Sequence, residues 1–179
     1  MATLSLTDIQ LPSSNFEVVN NGLVFGMSKR EVSSLLGEKL HYKKNIGFYS
    51  QEYLYGMKTY LRYGFSHNTL DSFYYINGEK IHDLTVYDLL VEKISKQYGA
   101  PEFVVTNWLK SDFLGIPSML KEAFQQGHAI AKNGWTLKNG LKVCAYLRGV
   151  NNELEICVAV SDGYLQLIFH DALLTSSHG

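Results

Sequence analysis

Twice in this chain an amphipathic helix stops at a glycine and a string of alternating strands follows, and that phrase limits the fold more than anything else in the sequence. The first copy is Gly26-Met27-Ser28-Lys29-Arg30-Glu31-Val32-Ser33-Ser34-Leu35-Leu36-Gly37. Ser28 is placed to cap the helix, with Glu31 three residues on to complete a capping box, and Met27 can pack against Val32 as a hydrophobic staple. Val32, Leu35 and Leu36 supply the stripe to be buried, and Gly37 can take the left-handed conformation that ends the helix. In the second copy Tyr87, Leu90, Val91, Ile94 and Tyr98 follow i, i+3, i+4, i+7, i+11 spacing, which puts all five on one side of a helix over 86–98. Thr85 with Asp88 is its capping candidate, and Gly99 followed by Pro101 its stop. The two terminal glycines are 62 residues apart (99 minus 37).

The segments between read as strands. Residues 48–55, 59–65 and 70–76 are rich in Tyr, Phe and Leu and are separated by turn residues. A tight turn at His67-Asn68 sets Phe65, Tyr63 and Leu61 opposite Leu70, Ser72 and Tyr74, a β-meander with one apolar face that Asn77-Gly78 ends. After the second helix a strand is expected over 103–109 and a short helix over 117–126. Residues 141–148 and 153–160 pair through the loop Gly149-Val150-Asn151-Asn152, with Arg148 opposite Glu153 and Cys144 opposite Cys157. A Lys138-Asn139-Gly140 loop with a glycine bulge aligns Leu137 with Leu141 and Trp135 with Val143. Further strands are expected around 16–19 and over 164–169. Residues 111–134 read as an insertion that breaks the symmetry of two helix-then-meander units.

The fold expected is α+β, antiparallel meanders packed against two or three helices with a helix-then-strands unit used twice. One domain over 1–179 is expected, with sub-units 23–82 and 83–170. At 46% hydrophobic and 18% charged, the 179 residues have a globular composition, and a core of this size buries about 70% of the surface the unfolded chain exposes. A net charge of −1 offers no basic excess for phosphates, so no nucleic-acid partner is expected. Residues 1–16 carry no cationic stretch, long apolar run or cleavage site, so no secretory signal is expected. No stretch approaches the roughly 20 apolar residues that span a bilayer, so no membrane partner is expected either. Two cysteines are too few for a disulfide framework, and a cytoplasmic protein with reduced thiols follows.

Chemistry is harder to find. The chain contains no G-x-G-x-x-G, no G-x-x-x-x-G-K-[ST], no G-x-S-x-G and no H-E-x-x-H. Its six histidines are scattered, none close in sequence to a cysteine, so no catalytic residues, metal or cofactor are expected. What remains is binding. Tyrosine, 12 residues of the 179, gives large amphipathic contacts at low entropic cost. Tyr49, Tyr53 and Tyr55, with the carboxylates Asp71 and Glu79, are the candidate partner-binding patch.

The run Phe25-Gly26-Met27-Ser28-Lys29-Arg30-Glu31-Val32-Ser33-Ser34-Leu35-Leu36-Gly37 resembles the opening helix of small outer-membrane-assembly lipoproteins, in which a Gly-Met-Ser-type cap leads into a helix ended by Leu-Gly and then an antiparallel sheet. This chain departs from them in that no lipoprotein signal or acylated cysteine is expected from residues 1–16. Its texture, with glycine-stopped helices beside Tyr-rich strands as in Gln97-Tyr98-Gly99-Ala100-Pro101 before Trp108, is also similar to immunity proteins of bacterial toxin systems. That resemblance implies a cytoplasmic protein that binds and occludes a cognate toxin. The rival expectations are an envelope-assembly or scaffold module and an enzyme built from distant residues such as His170, Asp171 and Cys157.

Overall fold

The first helix begins where its capping box predicts. In the computed structural model, which describes residues 23–109, 117–138 and 140–161, helix α1 spans Lys29–Leu36. The Glu31 N–H donates to the Ser28 hydroxyl at 3.2 Å, and the Ser28 N–H donates back to the Glu31 carboxylate at 2.7 Å. Two backbone donors that the helix cannot satisfy internally are thereby paired. Val32 and Leu36 are buried, but Leu35 is 49% exposed. At 3.6 residues per turn it lies about 100° round the helix from Leu36, outside the narrow stripe that so short a helix buries. Gly37, at φ 51°, ends the helix.

Four strands follow: β1 (His41–Lys43), β2 (Gly47–Leu54), β3 (Met57–Ser66) and β4 (Thr69–Asn77). Helix α2 (Thr85–Tyr98) leads to β5 (Phe103–Trp108), α3 (Leu120–Gln125), β6 (Ala129–Thr136), β7 (Lys142–Val150) and β8 (Glu153–Ser161). The eight strands form one antiparallel sheet in the order β1-β2-β3-β4-β8-β7-β6-β5. The fold is α+β.

Two registers differ from those the sequence predicts. Phe65 does pair with Leu70 across the His67-Asn68 turn, but the register then slips at Gly64, giving Tyr63↔Phe73 and Leu61↔Tyr75. Because side chains alternate with a period of two, this one-residue bulge turns Ser72 and Tyr74 away from the core and brings in Phe73 and Tyr75. A Cβ on Gly64 would stand 2.0 Å from the Ser72 hydroxyl, which would have to turn aside. At the other hairpin Asn151 and Asn152, at φ 51° and 63°, make a two-residue turn, so Arg148 opposes Glu155 rather than Glu153. A shift of two leaves the faces unchanged but separates the thiols: Cys144 opposes Ala159, and Cys157 opposes Tyr146.

Part of the expected insertion is strand β6. Its Lys132-Asn133-Gly134 lies mid-strand, where Asn133 bonds Tyr87 of α2 and the Phe103 ring covers Gly134. The predicted alignment of Trp135 with Val143 is present, and the Leu137 N–H donates to the Leu141 carbonyl at 2.8 Å. The α2 cap is not the Thr85–Asp88 pair; the Thr85 N–H donates to the Asp83 carboxylate at 3.0 Å. The strands expected at 16–19 and 164–169, and His170 and Asp171, lie outside the described residues.

Val32 and Leu36 of α1, Tyr87, Leu90 and Ile94 of α2, and Ala123 and Phe124 of α3 join one cluster with Leu61, Tyr63, Phe73, Val143, Leu147, Ile156 and Val158. All three helices therefore lie on one face of the sheet, each large buried side chain contributing about 1.5–3 kcal/mol. Polar bonds fix α2 in position. The Tyr87 hydroxyl sits 2.9 Å from Asn133 Oδ1 and 3.0 Å from the Ala145 carbonyl oxygen, and Trp135 Nε1 donates to the Gly99 carbonyl at 3.0 Å. Helix α3 rests directly on Gly149, where a Cβ would meet the Phe124 and Gln125 carbonyl oxygens at 2.1 and 2.3 Å. Gly149→Ala is expected to lift α3 and cost about 1–3 kcal/mol of stability, read as a lower urea midpoint at unchanged m-value.

Candidate functional site

Since alternate residues of a strand face opposite ways, the strand positions left out of the helix-covered core form a second face. One row of it crosses the whole sheet through successive pairs: His41, Tyr49, Arg62, Tyr74, Ala159, Cys144, Gly134 and Phe103. The next row holds Gln51, Tyr60, Ile76, Cys157, Tyr146 and Lys132. The middle of this far face is small and its flanks are aromatic. Cys144 and Ala159 form a separate buried cluster with Tyr74 packed on it, and Cys157, Ser72 and Ser161 are buried as well. The Ser161 hydroxyl has no hydrogen-bond partner among the described residues.

On the flanks the aromatic rings are held in place by their neighbours. Tyr49 stacks edge-on against Tyr60 with centroids 5.6 Å apart and lies 5.5 Å from the His41 ring. The Arg62 guanidinium sits 5.8 Å from the centre of the Tyr74 ring, and that of Arg148 5.3 Å from Tyr146. Arg148 also grips Glu155 through Nε and Nη2 at 2.9 and 2.8 Å. Lys58, Arg62, Lys132, Lys142 and Arg148 all occupy far-face positions. Of the carboxylates there, Glu155 is bound to Arg148 and Glu153 to Lys80 at 3.1 Å. The face is aromatic and basic, whereas the sequence suggested an aromatic and acidic one.

The five residues singled out from sequence are not brought together. Tyr49 stands in the aromatic row. Tyr53, 67% exposed, lies farther along β2 opposite Lys58. Tyr55 is a core residue: the β2–β3 turn carries it at φ 46° to the helix side, where it is 9% exposed and donates to Gln97 Oε1 at 2.6 Å. Asp71 adjoins the bulge and accepts from the Ser72 hydroxyl at 2.8 Å, while Glu79 lies exposed past the other end of β4. From Asp71 to Asn77 alone the strand runs about 20 Å. Sequence reasoning puts Tyr146 and Arg148 on the outer face of the last hairpin without including them in the patch, and passes over Tyr60, Arg62 and Tyr74. The residues alternating with Leu61 and Tyr63 would have revealed Tyr60 and Arg62, but nothing local shows that the bulge turns Tyr74 outward.

Among the described residues no three His, Cys, Asp or Glu side chains gather to hold a metal, and no helix is long and apolar enough to cross a membrane. The chain matches no protein-family model, no curated protein and no solved structure.

Burial dominates the titration of this face. It raises the Tyr74 and Tyr146 hydroxyls above their ordinary value and pushes both thiols up to about 12. A thiol whose folded value exceeds its unfolded one adds stability that is whole below about pH 9 and is lost as pH rises toward 12. Two outcomes are expected. An aromatic disulfide reagent at pH 8 labels neither Cys144 nor Cys157 in the native protein and labels both in guanidinium. In alkaline titration, Cys157→Ala flattens the decline of the melting temperature above pH 9.

Proposed function

We propose that this protein is a stoichiometric binder rather than an enzyme: an immunity protein that neutralises a cognate bacterial toxin domain in the cytoplasm by covering its active or substrate-binding surface. The observation that carries this reading is the row of Tyr49, Arg62 and Tyr74, with Tyr60 beside it, on the face the helices leave free. Tyrosine and arginine dominate the energetic centres of protein interfaces. Here they stand on strands of a continuous sheet and are braced by ring–ring and cation–π contacts, so little side-chain freedom is left to lose on docking. Support for binding over catalysis also comes from Cys157, whose thiol is fully buried and held neutral. The basic character of the face suits an acidic toxin surface, where complementary charge speeds encounter. The proposal further takes the two helix-plus-four-strand halves as one unit used twice, a reading supported by the order in which the elements occur.

A second reading rests on the same row, since tyrosines on a sheet beside arginine are also where single-stranded nucleic acid stacks its bases. The two separate in one experiment. The protein is co-expressed with the product of the adjacent upstream gene and, in parallel, titrated with a fluorescent oligothymidine. A one-to-one complex that silences a toxic activity supports the immunity reading, and oligothymidine binding without such a complex replaces it. Tyr49→Ala and Arg62→Glu are expected to weaken the complex at least tenfold, about 1.4 kcal/mol, at unchanged melting temperature. Asp71→Lys and Glu79→Lys slow association only where the ends of β4 join the interface; unchanged kinetics confine it to the tyrosine–arginine row.

A further inference from the structure

Strand β5 ends the sheet, and its sequence, Phe-Val-Val-Thr-Asn-Trp, carries no charge and no proline. Edge strands are ordinarily protected by such residues because their unpaired N–H and C=O groups template another strand. This one is open: Val104 is 67% exposed, Phe103 and Val105 are 37% exposed, and among the described residues nothing pairs with its outer side. The phase of its hydrogen bonding follows from the Leu109 N–H, which donates to the His128 carbonyl at 2.7 Å. Antiparallel bonding alternates residue by residue. Phe103, Val105 and Asn107 therefore point their backbone groups at β6, while Val104 and Thr106 point theirs outward.

Beside that edge, between α2 and the sheet, is a cavity of 310 Å³ walled by Leu84, Tyr87 and Val91 on one side and by Val104 and Thr106 on the other, with Phe124 among its further lining and Asp88 exposed on its helix side. Its size reaches the lower end of ligand-binding clefts, about 300 Å³. The lining is apolar except for Tyr87 and Asn133, which bond one another, Thr106, and the carboxylate of Asp88.

We propose that this groove between α2 and the β5 edge takes an extended segment of a partner protein as a ninth strand, with an apolar side chain in the cavity and a lysine or arginine set against Asp88. Strand addition draws affinity from main-chain bonds and specificity from pockets for alternate side chains, and both halves of that arrangement are present here. A second copy of this chain is the weaker occupant. Pairing one six-residue edge with itself buries far less than the roughly 1,200 Å² of a stable interface, and β5 brings no cation to Asp88. This inference goes beyond the far-face proposal and uses none of its residues.

The test is selection of a phage-displayed library of random dodecapeptides on the intact protein, followed by binding measurements on the enriched peptides. Enrichment of sequences with apolar residues at alternate positions and a nearby Lys or Arg is expected. Thr106→Pro removes an outward N–H while sparing the bonds to β6, and it should weaken the peptides at least tenfold, as should Val104→Lys. Arg62→Glu, on the far face, should leave them unchanged. In hydrogen exchange the Val104 and Thr106 amides should slow when peptide is added, a readout that stands even where Thr106→Pro misfolds. No enrichment, peptides indifferent to both β5 variants, or a concentration-dependent dimer abolished by Val104→Lys would each overturn the proposal, the last in favour of a second copy.

Discussion

The pairing of β4 with β8 holds the molecule together. Five residue pairs, from Ser72↔Ser161 to Ile76↔Cys157, join a meander that follows α1 to one that follows α2. The Asn77 side chain lengthens the seam by accepting from the Ile156 N–H at 2.9 Å, and Ile81 bridges to Leu154. From Ile156 to Ser161, β8 is buried at every position, which is why it reads as an apolar run. On one side of the seam Phe73 and Tyr75 meet Val160 and Val158 under the helices; on the other Tyr74 meets Ala159. Without it there would be two four-stranded sheets and no row of residues crossing from His41 to Phe103.

A single bulge beside the seam sets which side chains of β4 reach the far face. The bulge at Gly64 lies one strand away from the seam, and the slip it introduces decides which side of β4 meets β8 with its aromatic rings. With the unslipped register Tyr74 would enter the core and Phe73 would face outward. The slip instead delivers Tyr74 to Arg62 and to the floor of Cys144 and Ala159, and it sends Phe73 and Tyr75 to the helix side. A local backbone irregularity thus sets the chemistry of the surface on which the functional reading depends.

Legibility followed the range of the interaction. The capping box of α1, the apolar stripe of α2 and the glycine stops could be read because each is settled within one or two turns of chain. The Leu137–Leu141 alignment was legible for the same reason, since the positive φ of Gly140 accompanies a short loop. Most of strand β6 fell within the expected insertion 111–134, and the partner that Asn133 bonds in the interior, Tyr87, lies 46 residues earlier in the chain. Of the candidate site, Tyr49 was legible from alternation. Tyr55 was not, because the turn after β2 rotates it onto Gln97 of a helix still to come.

From the sequence alone came the helices, most of the strands and the class of fold, since capping, periodicity and turn chemistry act between near neighbours; β1 and most of β6 were not among them. The tertiary structure alone decided which strands adjoin, which side of β4 faces the core, that Asp71 and Glu79 stand at opposite ends of one strand, and that tyrosine and arginine from separate strands form one row. Those outcomes depend on pairing and burial between residues far apart in the chain, where a slip of one position reverses a whole face and leaves no mark on local composition.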